Sequence, residues 1–258
     1  MDYDPWLVLD HELDAWARNG DTADFWWRDD DAIAPGPKLD RLISITGTTG
    51  LLLAVVPANA EKALASVVES APHVAVAQHG YAHINHAPRG QGLGAWELGL
   101  HRDAEVVLEE LEQGHVILRT LFGERFIPVI VPPWNRLDPA LIPCLSDRGY
   151  CGVSRFGPRD TEAHSSGFSV VNSHCDPIRW KTGACFRGES KTINQLVDHL
   201  RARRNAEADV DEPTGYLTHH IDLDEEGWAF SEKLVQRVNQ HAAARWCTKI
   251  PPLFCDQL

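Results

Sequence analysis

The sequence lacks three features that would place it in other classes of protein. No apolar run approaches the roughly 20 residues of a membrane-spanning helix, so no such span is expected. Basic residues are outnumbered, with 24 Lys and Arg against 37 Asp and Glu and a formal net charge of −13, and such a chain repels phosphate backbones. We therefore expect neither nucleic acid nor membrane as a partner. The first residues lack the basic and apolar regions of a secretory signal, so we expect a cytoplasmic protein.

Paired cysteine motifs are also missing. The six cysteines are Cys144, Cys151, Cys175, Cys185, Cys247 and Cys255, and no two of them form a C-x-x-C motif. Without an export signal, we expect all six to be reduced thiols, some of them buried as small apolar side chains.

The pattern of apolar segments predicts an α/β fold. A chain of 258 residues, 43% apolar and 24% charged, suits one large core and hence a single domain. About seven predicted strands are mostly followed by helices, and this alternation is typical of parallel strands joined by helical crossovers. An open doubly wound sheet and a closed barrel would both fit the alternation.

The predicted elements are spread along the whole chain. Helices are predicted over residues 6–18, 38–46, 60–70, 97–121, 138–148, 191–204 and 228–243. Strands are predicted over residues 51–56, 74–77, 127–131, 151–153 and 168–172. An aromatic run within 24–31 and the segment 215–220 are also predicted to be strands, with a last segment near 246–250.

Two histidines directly follow the strand predicted at 74–77. His79 and His83 are four residues apart, so on a helical turn they would share one face and could point both imidazoles at one ion. The alternative is a surface turn with two solvated histidines.

Three consecutive carboxylates, Asp29, Asp30 and Asp31, end the aromatic first strand. Adjacent carboxylates repel one another, and a cation would relieve the repulsion. Strand alternation would place Asp29 and Asp31 on one face and Asp30 on the other. The alternative is a solvated acidic turn.

The positions of the polar clusters favour a metal site over these alternatives. Carboxylates follow the first strand, histidines the third, and Pro132-Pro133-Trp134 the fourth; Asp176 follows a later strand, and His219-His220 the last long one. Parallel strands end on one face, so the clusters should converge there. Two imidazoles and a carboxylate with open positions form a hydrolytic metal site, beside which a second carboxylate can accept a proton and a histidine can donate one.

In chain order, these clusters resemble the motifs of the polysaccharide deacetylase family, carbohydrate esterase family four. The five family motifs are aromatic-Asp-Asp, His-Ser/Thr-x-x-His, Arg-x-Pro-x-Gly, Asp-x-x-Trp-like and Leu-x-His. The similar segments here are Trp27-Arg28-Asp29-Asp30-Asp31, His79-Gly80-Tyr81-Ala82-His83, Val131-Pro132-Pro133-Trp134-Asn135, Asp176 to Trp180, and Leu217-Thr218-His219. The resemblance spans residues 25–220.

The resemblance implies a distorted (β/α) barrel of about seven parallel strands, a divalent metal ion, usually zinc, and hydrolytic removal of acetyl from an N-acetylated sugar. It implies one domain over residues 1–258, with the core motifs at 24–220.

The resemblance also implies roles for individual residues. His79 and His83 would be metal ligands, with Asp31 as the third ligand and Asp30 as the base. A register one residue earlier, with Asp29 as base and Asp30 as ligand, is the alternative.

Other site residues follow from the neighbouring motifs. His219 would be the general acid, and Asp176 would orient it. We expect Trp134, Asn135 and Arg136 to bind substrate, Trp134 by stacking its ring on a sugar.

Two departures from the family pattern bear on activity. The arginine of the third motif, which orients the catalytic aspartate in relatives, is Val131 here, and Arg28 or Arg136 could replace it. Asn135 stands where the motif has glycine.

The sequence therefore predicts a metal-dependent hydrolase that removes an acyl group from a small-molecule or oligosaccharide substrate. The alternative is a catalytically impaired carbohydrate-binding protein on the same scaffold. An amidohydrolase-type barrel is disfavoured, because that class has His-x-His at the end of the first strand, where this chain has three aspartates.

Overall fold

Ten strands are present in the computed structural model, which describes residues 4–160, 168–181 and 183–255. The strands are β1 (Ala23–Ala32), β2 (Leu51–Val55), β3 (Val74–His79), β4 (Phe126–Val131), β5 (Gly152–Val153), β6 (Ser169–Val170), β7 (Ile178–Arg179), β8 (Cys185–Phe186), β9 (Thr214–Thr218) and β10 (Ala244–Trp246). Eight of them form one parallel sheet, and β7 pairs with β8 as an antiparallel hairpin.

Eight α-helices lie in the described part of the chain. They are α1 (Pro5–Asn19), α2 (Pro37–Thr46), α3 (Ala63–Glu69), α4 (Ala104–Phe122), α5 (Ile142–Asp147), α6 (Glu189–Arg204), α7 (Glu225–Gln240) and α8 (Pro251–Phe254). None of these helices combines the length and apolar character needed to cross a membrane.

The parallel strands curl into a ring. Strands β1 to β6 are neighbours in chain order, and β9 pairs with β1. The chain after β6 completes the ring, because Cys175 donates its amide to the carbonyl of Gly215 at 3.0 Å and accepts from the amide of Leu217 at 2.8 Å. Seven strands thus form the ring, while β10 pairs with the first residues of β1. The predicted distorted barrel of parallel strands is confirmed.

Burial on both faces explains the uninterrupted apolar runs of the inner strands. All five residues of β2 are buried, as expected for a parallel strand covered on both faces. On the outside, α1 packs against α6 through a buried stripe that includes Leu9 and Leu13.

The predicted helix over 97–121 is wrong in its first part. The helix begins at Ala104, because the Asp103 side chain accepts a hydrogen bond from the Glu105 amide and so caps it. Leu98 instead forms a parallel bridge with Leu137. The predicted helix over 138–148 is likewise divided, into a 3-10 turn at Pro139–Leu141 and the short helix α5.

The expectation that all six cysteines are reduced is also wrong. Cys151 and Cys255 form a disulfide that joins the start of β5 to the segment after α8. The two residues are 104 positions apart, so no short-range spacing pattern indicated the pair. Cys144, Cys175, Cys185 and Cys247 are free thiols.

Candidate active site

A cavity of about 460 Å³ opens at the carboxyl ends of the ring strands. Eight of the nine residues predicted for the site line it, and the exception is Arg136. The other lining residues are Phe156, Trp180, Arg187 and Gln195. The polar clusters therefore converge, as expected for parallel strands that end on one face.

Asp31, His79 and His83 meet at one side of this cavity. Asp31 Oδ1 lies 2.9 Å from His79 Nε2 and 3.3 Å from His83 Nε2. The predicted helical turn is wrong, because His79 is the last residue of β3 and both Gly80 and His83 have positive φ. The two imidazoles converge because the chain reverses tightly after the strand.

The acidic triplet also departs from simple strand alternation. The pairing of β1 with β2 shifts register between Asp29 and Ala32, and Asp31 has a φ of 68°. This bulge turns both Asp30 and Asp31 into the cavity, whereas alternation predicted opposite faces.

The hydrogen bonds around this cluster leave two acceptor atoms, His79 Nε2 and Asp31 Oδ1, facing each other. His79 Nδ1 lies 2.9 Å from the carbonyl oxygen of Val131, which can only accept, so Nδ1 carries the proton and Nε2 is left with a lone pair. Both His79 Nε2 and Asp31 Oδ1 are buried and receive no hydrogen bond from the described residues. One carboxylate oxygen and two imidazole nitrogens are a ligand set that zinc prefers, and their atoms lie within 4.8 Å of one another. The residues present therefore fit a divalent cation.

The electrostatics of the cluster favour positive charge there. Burial raises the pKa of Asp31, but the close contact with His79 and the charges of His79, His219 and His83 outweigh burial and hold the pKa below its usual range. Burial lowers the pKa of His79, yet Asp30 and Asp31 together raise it.

Glu97 holds the turn that carries the two histidines, and sequence analysis missed it. Its side chain is fully buried and accepts hydrogen bonds from the amides of Tyr81 at 3.2 Å, Ala82 at 2.8 Å and Ile84 at 3.4 Å. The residue falls in the segment that was predicted to be helical. Nothing in the local pattern identifies it, because all of its partners lie 13 or more residues earlier.

Gly80 has a steric reason to be glycine. Its φ is 57°, and a β-carbon at this position would lie 1.9 Å from Glu97 Oε2 and 2.6 Å from Pro133 Cγ. Gly80 stands where the second motif has Ser or Thr. The chain therefore has no side-chain hydroxyl at this position, and the Glu97 carboxylate holds the turn.

Asp30 is held by a buried arginine of its own strand. Arg28 Nε lies 2.9 Å from Asp30 Oδ1, and Nη2 donates to Oδ2 at 3.0 Å. The same guanidinium donates to Asn135 Oδ1 at 2.6 Å and to Ser154 Oγ at 2.8 Å. Of the two arginines considered as replacements for the third-motif arginine, Arg28 is therefore the one in contact with Asp30.

Asp29 faces away from the cavity and ties β1 to the end of β9. Its Oδ2 accepts hydrogen bonds from the Thr218 hydroxyl at 2.6 Å and the His220 amide at 2.9 Å. Oδ1 pairs with His220 Nδ1, and this partner raises the pKa of His220 although burial lowers it. The geometry thus favours the pair Asp30 and Asp31 over Asp29 and Asp30.

His219 lies beside the Asp31 carboxylate in the cavity. Its Nε2 is 4.0 Å from Asp31 Oδ2, and its Nδ1 is buried without a hydrogen-bond partner among the described residues. Asp176 does not hydrogen bond to it, because the Asp176 oxygens accept from the Ile178 amide and the Trp180 indole, both at 2.8 Å. Trp180 packs edge-on against His219, with ring centroids 4.7 Å apart. Asp176 is therefore linked to His219 through the Trp180 side chain.

The predicted substrate-binding residues fall into two groups. Trp134 and Asn135, both with positive φ, line the cavity, and the Trp134 ring lies 4.4 Å from that of His83. Arg136 does not line the cavity, and its guanidinium donates to the carbonyls of Leu93 and Ala95 of the preceding loop, so its role in substrate binding stays a prediction.

A second group of two histidines and a carboxylate is buried near the start of β9. His174 Nε2 lies 3.4 Å and His199 Nε2 3.8 Å from Glu212 Oε2, and the imidazoles stack at 3.3 Å. His174 Nδ1 accepts from the Gly215 amide at 2.9 Å, so in neutral His174 the proton is on Nε2. Burial lowers the pKa of His174 to about 4, which keeps it neutral. Its Nε2–H points at the carboxylate and offers no lone pair to a metal.

Comparisons with known proteins identify the fold. No family model and no curated protein sequence matches the chain. Among solved structures, a Mycobacterium smegmatis protein described as a polysaccharide deacetylase superposes with a TM-score of 0.64 at 15% identity, covering 88% of this chain and 87% of its own. A peptidoglycan N-acetylglucosamine deacetylase gives 0.55 at 14% identity, covering 93% and 95%.

A family-four pseudoenzyme from Bacillus anthracis is also similar, with a TM-score of 0.51 at 11% identity, covering 86% of this chain and 63% of its own. The chain therefore has the polysaccharide deacetylase fold, on which both enzymes and a pseudoenzyme occur.

Proposed function

We propose that the protein is a metal-dependent hydrolase that removes an acyl group, such as acetyl, from an N-acetylated carbohydrate-like substrate. The observation that carries the proposal is the convergence of Asp31 Oδ1, His79 Nε2 and His83 Nε2 in a cavity that also contains Asp30 and His219. The deacetylases of the same fold support the choice of reaction.

The ligands would be Asp31, His79 and His83, and zinc is the ion that best suits two nitrogens and one oxygen. When bound, the ion would supply Lewis-acid polarisation of the acyl carbonyl and lower the pKa of the attacking water.

Asp30 is the proposed general base. Both of its oxygens lie against Arg28, whose guanidinium is itself fixed by Asn135 and Ser154. A bidentate contact of this kind fixes the orientation of a carboxylate. Asp30 can therefore receive the proton of the attacking water without changing its rotamer.

His219 is the proposed general acid. Its position near Asp31 Oδ2 places it at the same cavity wall as the ligands, where the departing amine would need a proton. Asp176, whose pKa is raised by burial against the opposing charge of His219 and the Trp180 hydrogen bond, supplies negative charge beside the imidazole. Trp180 fixes the plane of the ring.

Metal analysis and product detection test this function together. Protein purified without chelator should contain one divalent ion per chain, and with zinc it should release acetate from N-acetylglucosamine or its short oligomers. Asp30→Asn should keep the ion and lose acetate release. Absence of stoichiometric metal, both as purified and after addition of zinc, would refute the proposal.

A carbohydrate-binding protein without turnover is the second candidate. Val131 at the position of the third-motif arginine and the fold shared with a pseudoenzyme favour it. It predicts saturable binding of N-acetylated sugars with no acetate release at any metal loading, so the acetate assay separates the two candidates.

A further inference from the structure

We propose that Arg187 and Gln195 form an oxyanion-binding subsite in the cavity, so that the acylated substrate carries a carboxylate, phosphate or sulfate group. This inference rests on the proposed function for the acyl group and adds a second recognition element. The sugar would be acidic as well as N-acylated.

Arg187 is a cation that faces the cavity without a carboxylate partner. It follows β8, and its Nη2 donates to the carbonyl of Ile178 at 2.7 Å, which fixes the side chain against the β7–β8 hairpin. It forms no ion pair with any carboxylate in the described ranges, and Nη1 has no hydrogen-bond partner there. An arginine held in place by a backbone carbonyl, with a second nitrogen unbonded, is preorganised to bind an oxyanion.

Asp176, the cavity carboxylate whose pKa the charge of Arg187 lowers, forms no ion pair with this cation among the described residues. Asp176 uses one oxygen for the Ile178 amide and the other for the Trp180 indole. Arg187 influences Asp176 only through its charge. The cavity therefore keeps an unpaired positive group beside a carboxylate that is already hydrogen bonded.

Gln195 adds a neutral donor on the neighbouring helix α6. Its Oε1 accepts from the Asp176 amide at 3.2 Å, so the side-chain NH₂ is directed elsewhere, and it has no acceptor among the described residues. Because Gln195 also lines the cavity, its NH₂ is available to a ligand. Arg187 and Gln195 together offer at least two donors and no competing acceptor.

These donors come from a different part of the fold than the metal-binding cluster. Asp31 and His79 lie at the carboxyl ends of β1 and β3, with His83 just after β3, whereas Arg187 and Gln195 follow the β7–β8 hairpin. Three exposed aromatic side chains, Trp134, Phe156 and Trp180, complete the wall, with 37%, 41% and 47% of their surface accessible. A ligand with an acyl group, a ring with an apolar face and an anionic substituent would satisfy all three parts.

The negative net charge of the chain means that an anionic ligand depends on a local cation such as Arg187. A chain of net charge −13 repels anions from most of its surface, so an anionic ligand needs a local cation. Arg28 is used by Asp30, and Arg136 by the loop carbonyls, which leaves Arg187 as the arginine that is free to face a ligand in the described cavity.

The experiment compares anionic and neutral substrates of the zinc-loaded full-length protein. The anionic panel consists of N-acetylglucosaminuronate, N-acetylglucosamine 6-phosphate, N-acetylglucosamine 6-sulfate and N-acetylmuramate, and the neutral reference is N-acetylglucosamine. We expect kcat/KM for at least one anion to exceed that of the reference by about 10- to 100-fold, as for a hydrogen bond to a charged group. The best panel member identifies the anionic group.

Substitutions then assign the preference to the subsite. Arg187→Gln should reduce the anion-to-neutral ratio of kcat/KM to about 1, and Arg187→Lys, which keeps the charge, should retain part of it. The matched control is Arg179→Gln on the same hairpin, because Arg179 is exposed, contacts Cys185 Sγ and does not line the cavity. It should leave the ratio at the wild-type value.

Each result decides for or against the subsite. Equal kcat/KM values for all substrates, or a ratio that survives in Arg187→Gln, would overturn it. If the wild type hydrolyses none of the substrates, the proposed function fails, and calorimetric binding of the same panel then tests the subsite alone. In that case, binding of an anion no tighter than the neutral sugar overturns the subsite as well.

Discussion

The protein contains two groups of two histidines and one carboxylate, and their hydrogen bonds are opposite. In the cavity, His79 Nδ1 donates a hydrogen bond to the Val131 carbonyl, so Nε2 faces Asp31 with a lone pair. Near the start of β9, His174 Nδ1 accepts a hydrogen bond from the Gly215 amide, so the proton of neutral His174 is on Nε2, which faces Glu212. The first group leaves acceptor atoms open to a cation, whereas in the second group the His174 Nε2 proton faces the Glu212 carboxylate.

The difference shows that residue types and distances do not define a metal site. Both groups place their ligand atoms within 4.8 Å. What separates them is whether the backbone group behind the imidazole accepts or donates, which fixes the tautomer. Glu212 is further satisfied by the amides of Arg159 and Asn172, at 2.8 and 2.9 Å, whereas Asp31 Oδ1 has no donor in the described chain.

The largest expected effect is the loss of bound metal when Asp31 is substituted but not when Glu212 is substituted. Asp31→Ala removes the anionic ligand, so bound zinc after dialysis should fall from one ion per chain to near zero, measured by plasma mass spectrometry. Glu212→Gln is the matched change in the other group and should leave the zinc content at one. Zinc lost equally in both variants, each shown to be folded by circular dichroism, would contradict the comparison.

A large effect on turnover should distinguish Asp30, the proposed base, from Asp31, the proposed metal ligand beside it. Asp30→Asn removes the proton acceptor but no ligand, so kcat should fall by about 10²- to 10⁴-fold with zinc retained. Arg28→Gln should lower kcat in the same direction by disordering Asp30. Equal kcat in Asp30→Asn and wild type would exclude Asp30 as the base.

Acid should reduce the stability that the group of His174, His199 and Glu212 gives to the folded protein. Because the folded pKa of His174 is about 4, below its ordinary value of 6.5, the unfolded chain binds more protons between these values. The free energy of unfolding should therefore fall as pH drops from 6.5 to 4, with a contribution from His174 of about 3 kcal/mol. Burial raises the pKa of Glu212, but its histidine partners and the Arg159 amide hold it below its usual range, and its stabilising contribution is likewise lost as pH falls.

Urea unfolding at several pH values measures this contribution. His174→Gln cannot take up the proton, so its stability should depend less on pH in this window than that of the wild type. Parallel pH curves for the two proteins would assign the loss of stability to other residues.

The smallest expected effect comes from substitution of Glu97, which supports the turn that carries His79 and His83. Glu97→Gln keeps the size of the side chain but removes the charge that binds three amides of the histidine turn, so zinc affinity should fall about 10- to 100-fold, as for other residues that orient ligands. Competition with a chelating dye measures the dissociation constant. The cobalt-substituted protein should also show a shifted visible spectrum, and an unchanged spectrum with unchanged affinity would limit Glu97 to a structural role.

The sequence predicted those parts of the molecule that depend on local pattern. Apolar runs such as β2 identified the strands. The order of the strands predicted that Asp30, Asp31, His79 and His219 lie at the same end of the barrel, where the parallel strands finish. Partners distant in sequence were not predictable: Glu97 binds amides 13 to 16 residues away, and Cys151 pairs across 104 residues. The bulge at Asp31 was also missed, because alternation describes a regular strand and cannot report a register shift.

Arg28 and Asp30 are two residues apart on a single strand, and this has an evolutionary consequence. The arginine that orients this carboxylate is encoded in the same short segment and not in the segment after β4. That later segment still contributes Asn135, which accepts a hydrogen bond from the Arg28 guanidinium at 2.6 Å. Trp134 can therefore change with new ligands more freely than Asn135 without displacing Asp30.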